Sequence, residues 1–157
     1  MEMTALPMDE LSQLIKLQLD HGGSARLVVT GVSMHPTLRH RRDAVNLVPV
    51  NRALKKADLI LYRRESGQYV LHRIVSTPRN GSFICSGDNQ WQPETVNQDQ
   101  VMALVESYIR KGKTVAPDRG LARFCVGVWV FLFPVRRPIL FLRRVAAKIR
   151  RSLRRKK

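Results

Sequence analysis

Tyr69-Val70-Leu71-His72-Arg73-Ile74-Val75 reads as a strand. It is rich in branched and aromatic residues, and a period of two sets Val70, His72 and Ile74 on one face and Arg73 on the other. Working outward, similar runs separated by turn signals cover Arg26–Gly31, Ala44–Val50, Asp58–Arg64, Ser82–Ser86 and Val101–Ile109. Glu65-Ser66-Gly67-Gln68 and Pro78-Arg79-Asn80-Gly81 have hairpin-turn chemistry. The expectation is a mainly β, antiparallel domain over residues 25–115. Upstream, Met8, Leu11, Leu14, Ile15 and Leu19 recur at helical spacing and His21-Gly22-Gly23 closes the segment, so residues 1–24 hold an amphipathic helix packed on the domain.

The chain has 157 residues, 44% of them apolar, with 28 Lys and Arg against 12 Asp and Glu, a net charge of +16. This length suits one domain with extensions. The charge predicts attraction to an anionic partner, and it is concentrated at the end, for no acidic residue follows Asp118. Lys111 to Gly120 reads as a polar linker. The apolar run Phe124–Phe133 reaches Pro134 well short of the roughly 20 residues a spanning helix needs, so it reads as a re-entrant or interfacial segment, or a buried helix. From Ile139, the residues Leu142, Val145, Ala146, Ile149 and Leu153 form an apolar stripe flanked by Arg and Lys, the pattern of a cationic helix on an anionic membrane surface. Residues 116–157 are therefore read as a basic, partly apolar, membrane-associating C-terminal extension. A solvated basic helix is the plainer alternative, and a nucleic-acid role lacks any recognised binding pattern. Cys85 and Cys125 lack the spacing of a metal site or disulfide framework. The N-terminus lacks the basic start and apolar core of a signal peptide.

The chemistry centres on Thr30-Gly31-Val32-Ser33-Met34-His35-Pro36-Thr37-Leu38. Here a Ser follows a strand-like run and Pro-Thr ends any regular element. Such a Ser is usually an ordinary turn residue, and as a nucleophile it needs a base within hydrogen-bond reach. Of the four His residues, His21, His35 and His40 fall at turn or basic positions. His72 sits on an apolar strand face, where a His is more often a hydrogen-bonded core residue than a base. A base also wants a partner on its second ring nitrogen. Asp88, in the turn Ser86-Gly87-Asp88-Asn89, is one candidate, although a turn carboxylate often bonds its own backbone. Glu94 is the other, and its plain reading is a solvated loop residue.

Together these segments resemble type I signal peptidases of the Ser-His branch, which includes the endoplasmic-reticulum, archaeal and sporulation-type enzymes. Gly31-Val32-Ser33-Met34-His35-Pro36-Thr37-Leu38 is similar to their G-x-S-M-x-P-T-L motif, Tyr69–Val75 to their His-Arg strand, and Gly87-Asp88-Asn89 to their G-D-N turn. Glu94 falls where the branch has a second acidic residue, usually Asp. The resemblance implies the β fold shared with self-cleaving SOS-type repressors and a serine endopeptidase that needs no cofactor or metal. Ser33 would be the nucleophile and His72 the base, with Asp88, Glu94 or both orienting it. Gly31, Ser33, Met34 and Pro36 would shape the nucleophile turn, with the Ser33 N–H as one oxyanion donor. A Ser hydroxyl that serves as a second donor in some relatives is replaced by Gly31. Arg42-Asp43 and Ala57-Asp58 stand where Gly-Asp pairs are usual, and the membrane helix that normally precedes the nucleophile is replaced by the short amphipathic segment.

The expected function is cleavage of a leader peptide, signal peptide or precursor, the partners being that substrate and an anionic membrane through the extension. The expected location is the bacterial cytoplasmic membrane, with the cytoplasmic face favoured by the basic residues. A catalytically silent, membrane-docked binding module of the same fold is the first alternative, and a basic nucleic-acid-binding regulator the second.

Overall fold

A computed structural model of the protein describes residues 8–117, 120–135 and 138. Eight strands form one antiparallel sheet: β1 (Ala25–Val28), β2 (Ala44–Val48), β3 (Leu59–Arg63), β4 (Tyr69–Ser76), β5 (Phe83–Ser86), β6 (Glu94–Val96), β7 (Val101–Arg110) and β8 (Lys113–Val115). Their order is β1-β2-β7-β3-β4-β5-β6, with β8 also paired to β7. Among the described residues, α-helices run over Met8–Asp20 (α1) and Gly120–Phe131 (α2). The long β7 joins the halves of the sheet: Leu104 is opposite Val48 of β2 on one side and Ile60 of β3 on the other.

The strand period divides the core. Leu59 and Leu61 of β3 join Val45, Leu47, Ala103 and Val105 in a cluster with Ile15 and Leu19 of α1. Ile60 and Tyr62 point the opposite way and join Val70, Ile74, Phe83, Cys85 and Leu104. Burying each such Leu or Ile contributes about 1.5–3 kcal/mol, so β3, buried on both faces, is the strand least able to change register. The two expected hairpins join β3 to β4 and β4 to β5, with Gly67 and Gly81 at positive φ.

Four local expectations change. Leu14 of α1 faces outward, and Ser12 is buried instead, its hydroxyl donating to Tyr69 Oη at 2.6 Å. The segment read as a polar linker contains β8, because Lys111 and Gly112 reverse the chain at positive φ and return it along β7. A further strand, β6, lies beyond β5. The apolar run after residue 123 belongs to α2, which is neither fully buried nor a span. Val126 and Val130 pack with Val75 while Phe124, Val128 and Phe131 face outward. Among the described residues, no helix is long and apolar enough to cross a membrane. The stripe from Ile139 to Leu153 lies outside the described residues.

Candidate active site

The turn that carries Ser33, the expected nucleophile, is fastened from beneath by its own apolar residues. Met34 and Leu38 are buried in the α1-side core, and the Leu38 N–H donates to Met34 O at 2.9 Å. Gly31, at φ 89°, reverses the chain into the turn, and its N–H donates to His40 Nδ1 at 2.9 Å. The His35–Pro36 peptide bond is cis. Past the turn, buried Asp43 accepts from the Arg39 N–H at 2.9 Å and pairs with Arg42 at 2.7 Å. That Arg42 hydrogen bond holds the Asp43 carboxyl below its ordinary range against the opposing effect of burial. Ser33 is left half-buried between exposed Val32 and buried Met34.

The Ser86–Asn89 turn docks against this loop. The Asn89 N–H donates to Ser33 O at 2.7 Å, and Asn89 Nδ2 donates to Val32 O at 3.3 Å. Thr37 Oγ1 donates to Asp88 Oδ2 at 2.6 Å. Asp88 also takes both prongs of Arg73, at 2.9 and 2.8 Å, in a fully buried pair. Removing one partner from such a pair typically costs about 3–5 kcal/mol, so this bidentate bond is a structural clamp on the Ser33 turn. Gly87 fills the space between serine and histidine: a Cβ there would lie 2.7 Å from Ser33 O and 3.1 Å from His72 Nε2. Among the described residues the Ser33 hydroxyl donates to no acceptor, His72 included.

His72 is 2% exposed and faces the second core cluster, as the strand period predicts. Its Nδ1 lies 2.9 Å from Glu94 Oε1 and 3.0 Å from Tyr62 Oη. Tyr62 donates a short hydrogen bond to the same Glu94 oxygen. Arg64 grips the carboxylate with Nε on Oε2 at 2.7 Å and Nη2 on Oε1 at 2.8 Å. Sheet register brings these residues together: Ile60 opposes His72, Ile74 opposes Cys85, and Cys85 opposes Glu94.

Burial lowers the His72 pKa from its ordinary value, against the opposing pull of Glu94. Burial alone would raise the Glu94 carboxyl, but the hydrogen bonds from Arg64 and Tyr62 outweigh it and leave the pKa below the usual range. The result is a neutral ring beside an ionised carboxylate. A carboxylate only accepts, so the ring proton sits on Nδ1 and the Nε2 lone pair turns toward Gly87 and Ser33.

Of the two carboxylates expected to orient His72, Glu94 meets the ring nitrogen, whereas Asp88 is engaged by Arg73 and Thr37. Ser33 and His72 are brought to the same glycine without a direct hydrogen bond. Sequence reasoning missed Tyr62, Arg64 and the Thr37–Asp88–Arg73 clamp. The signal for Tyr62 and Arg64 was their i, i+2 spacing in the expected strand Asp58–Arg64, but which partner they meet depends on β6. A cavity of about 990 Å³ borders Arg52, Lys55, Glu106 and Arg123, and neither Ser33 nor His72 lines it. No protein-family model matches the chain, and no curated protein matches it either.

Proposed function

We propose that the protein is a serine endopeptidase of the signal-peptidase type, in which Ser33 is the nucleophile, His72 the general base and Glu94 its orienting carboxylate. The observation that carries this reading is the pairing of His72 Nδ1 with Glu94 while Nε2 faces the Gly87 turn beside Ser33. The Ser33–His72 hydrogen bond is expected to close when a peptide enters, in keeping with the loose catalytic hydrogen bonds common in unliganded enzymes. The Ser33 hydroxyl attacks the scissile carbonyl as its proton passes to His72 Nε2. Glu94 stabilises the imidazolium, and the same proton then goes to the leaving amine. Water hydrolyses the acyl-enzyme by the same proton route. The Ser33 N–H, which donates to no protein acceptor among the described residues, is suited to the oxyanion.

The substrate class on this reading is a leader, signal or precursor peptide, and the fold is that of the signal peptidases. Reaction of the full chain with a fluorophosphonate probe, followed by peptide mapping, separates it from a silent binding module. The reading expects the adduct on Ser33 and its loss in His72→Gln. Absence of an adduct on Ser33, with and without anionic vesicles, favours the silent module.

The second part of the reading is attachment to an anionic membrane surface on the cytoplasmic side. Its support is the outer face of α2, where Phe124 is 69% and Phe131 78% exposed, together with the basic sequence that follows Asp118. Apolar insertion and cationic attraction are the two separate contributions that stable surface anchoring needs. A net charge of +16 also opposes a second copy of the chain as the cover for that face.

A further inference from the structure

A buried histidine held by a carboxylate faces two opposed demands. The carboxylate fixes the ring and its tautomer, yet an unbalanced anion within about 4–6 Å favours the protonated ring. An imidazolium has no lone pair with which to take a proton from serine. We infer that Arg64 is a charge-balancing positioning residue, whose two-pronged grip on Glu94 lets that carboxylate orient His72 while leaving the ring unprotonated at neutral pH. The catalytic meaning of this inference rests on the Ser33–His72 reading, whereas its physical content concerns only the protonation of a buried ring.

The charges around the ring cancel in pairs. Glu94 reaches it from β6 and is matched by Arg64 at 2.7 and 2.8 Å. Asp88, after β5, is matched by Arg73 of β4 at 2.9 and 2.8 Å. From β3, Tyr62 adds a hydroxyl that burial keeps neutral by raising its pKa above the ordinary value. From β5, Cys85 is neutral as well, its thiol pushed up to about 12 by burial. With the two carboxylates balanced, desolvation decides the ring, and it favours the neutral form.

The geometry suits Arg and no other cation. A planar fork meets both carboxylate oxygens at once, which fixes the carboxylate plane as well as its charge. A Lys ammonium would supply the charge without fixing the plane. Arg64 follows the last residue of β3, its side chain is 37% exposed, and it borders a polar cleft of about 470 Å³ with Glu65, Thr95 and Gln100.

The test is a long-range proton–nitrogen NMR titration of the His72 ring in the full-length, nitrogen-15-labelled chain, with the resonance assigned by its loss in His72→Gln. In the parent protein the ring is expected to titrate below its ordinary value of 6.5 and to carry its proton on Nδ1. Arg64→Gln should move the midpoint upward by about one pH unit, a tenfold rise in proton affinity. Arg64→Lys should keep the midpoint close to the parent value, and Glu94→Gln should move the midpoint below the parent value by leaving Arg64 unbalanced. A midpoint that stays or falls in Arg64→Gln overturns the inference, as does a rise in Glu94→Gln, which decides the matter if Arg64→Gln does not fold. A merely structural role would lower Tm in Arg64→Gln without moving the ring. The expected ring shifts without any labelling of Ser33 would sustain the inference and count against the peptidase reading. Labelling of Ser33 without ring shifts would do the reverse.

Discussion

Gly87 is a glycine because there is no room for a side chain beside it. Its φ is not in the left-handed region, yet a Cβ would sit 2.7 Å from one backbone oxygen and 3.1 Å from the proposed base. Overpacking of this kind costs about 1–3 kcal/mol, and relief here means moving the turn off Ser33 and His72. Gly87→Ala is expected to lower Tm by several degrees and to slow labelling of Ser33 more than tenfold. Full labelling at a reduced Tm would show that the close approach matters for stability alone. Ser33, His72 and Glu94 were all legible as candidates from residue type and order. The division of labour between the carboxylates was not, because it depends on the Thr37 and Arg73 partners that take up Asp88, and these lie far from it in sequence.

At the scale of elements, the site is held by β3, β4, β5 and β6 acting as one sheet segment. The first three were legible from alternation and hairpin turns. Only three residues long, β6 follows the turn-rich Asp88–Pro93, so neither length nor period marks it, and Glu94 reads as solvated until the strand is placed. Likewise β8 is short and polar, and only the reversal at Lys111 and Gly112 turns it into a strand. Helix α2 was legible as apolar, but its two-sided role was not, since Val126 and Val130 meet core while Phe124 and Phe131 meet none. That outer face carries the membrane proposal. Phe124→Ser with Phe131→Ser is expected to weaken co-sedimentation with phosphatidylglycerol-containing vesicles at least tenfold while leaving Tm within a few degrees. Binding unchanged in this double variant would assign the attraction to the basic sequence alone.

For the whole molecule, the buried charges couple folding to pH. The unfolded His72 ring binds protons near 6.5, more readily than the folded one, so its contribution to stability declines as pH falls through that value toward the lowered folded pKa. Glu94, with a folded pKa below its ordinary 4.5, contributes fully above that value and loses the contribution on further acidification. Both effects have the same sign, so Tm should fall as pH drops from 7 to 4. In the His72→Gln, Glu94→Gln double variant the fall should be shallower, and a slope identical to the parent would locate the acid sensitivity elsewhere. The same two groups govern the proposed chemistry, since a neutral His72 and an ionised Glu94 are the forms that accept and stabilise the serine proton. The most direct test of that chemistry is mass-spectrometric detection of new peptide termini when the full chain, with anionic vesicles, is incubated with a mixed library of leader-like peptides. The account predicts cleavage that falls by about a thousandfold or more in Ser33→Ala and in His72→Gln. Cleavage at the parent rate in Ser33→Ala, or none by the parent protein on any library member, would contradict it.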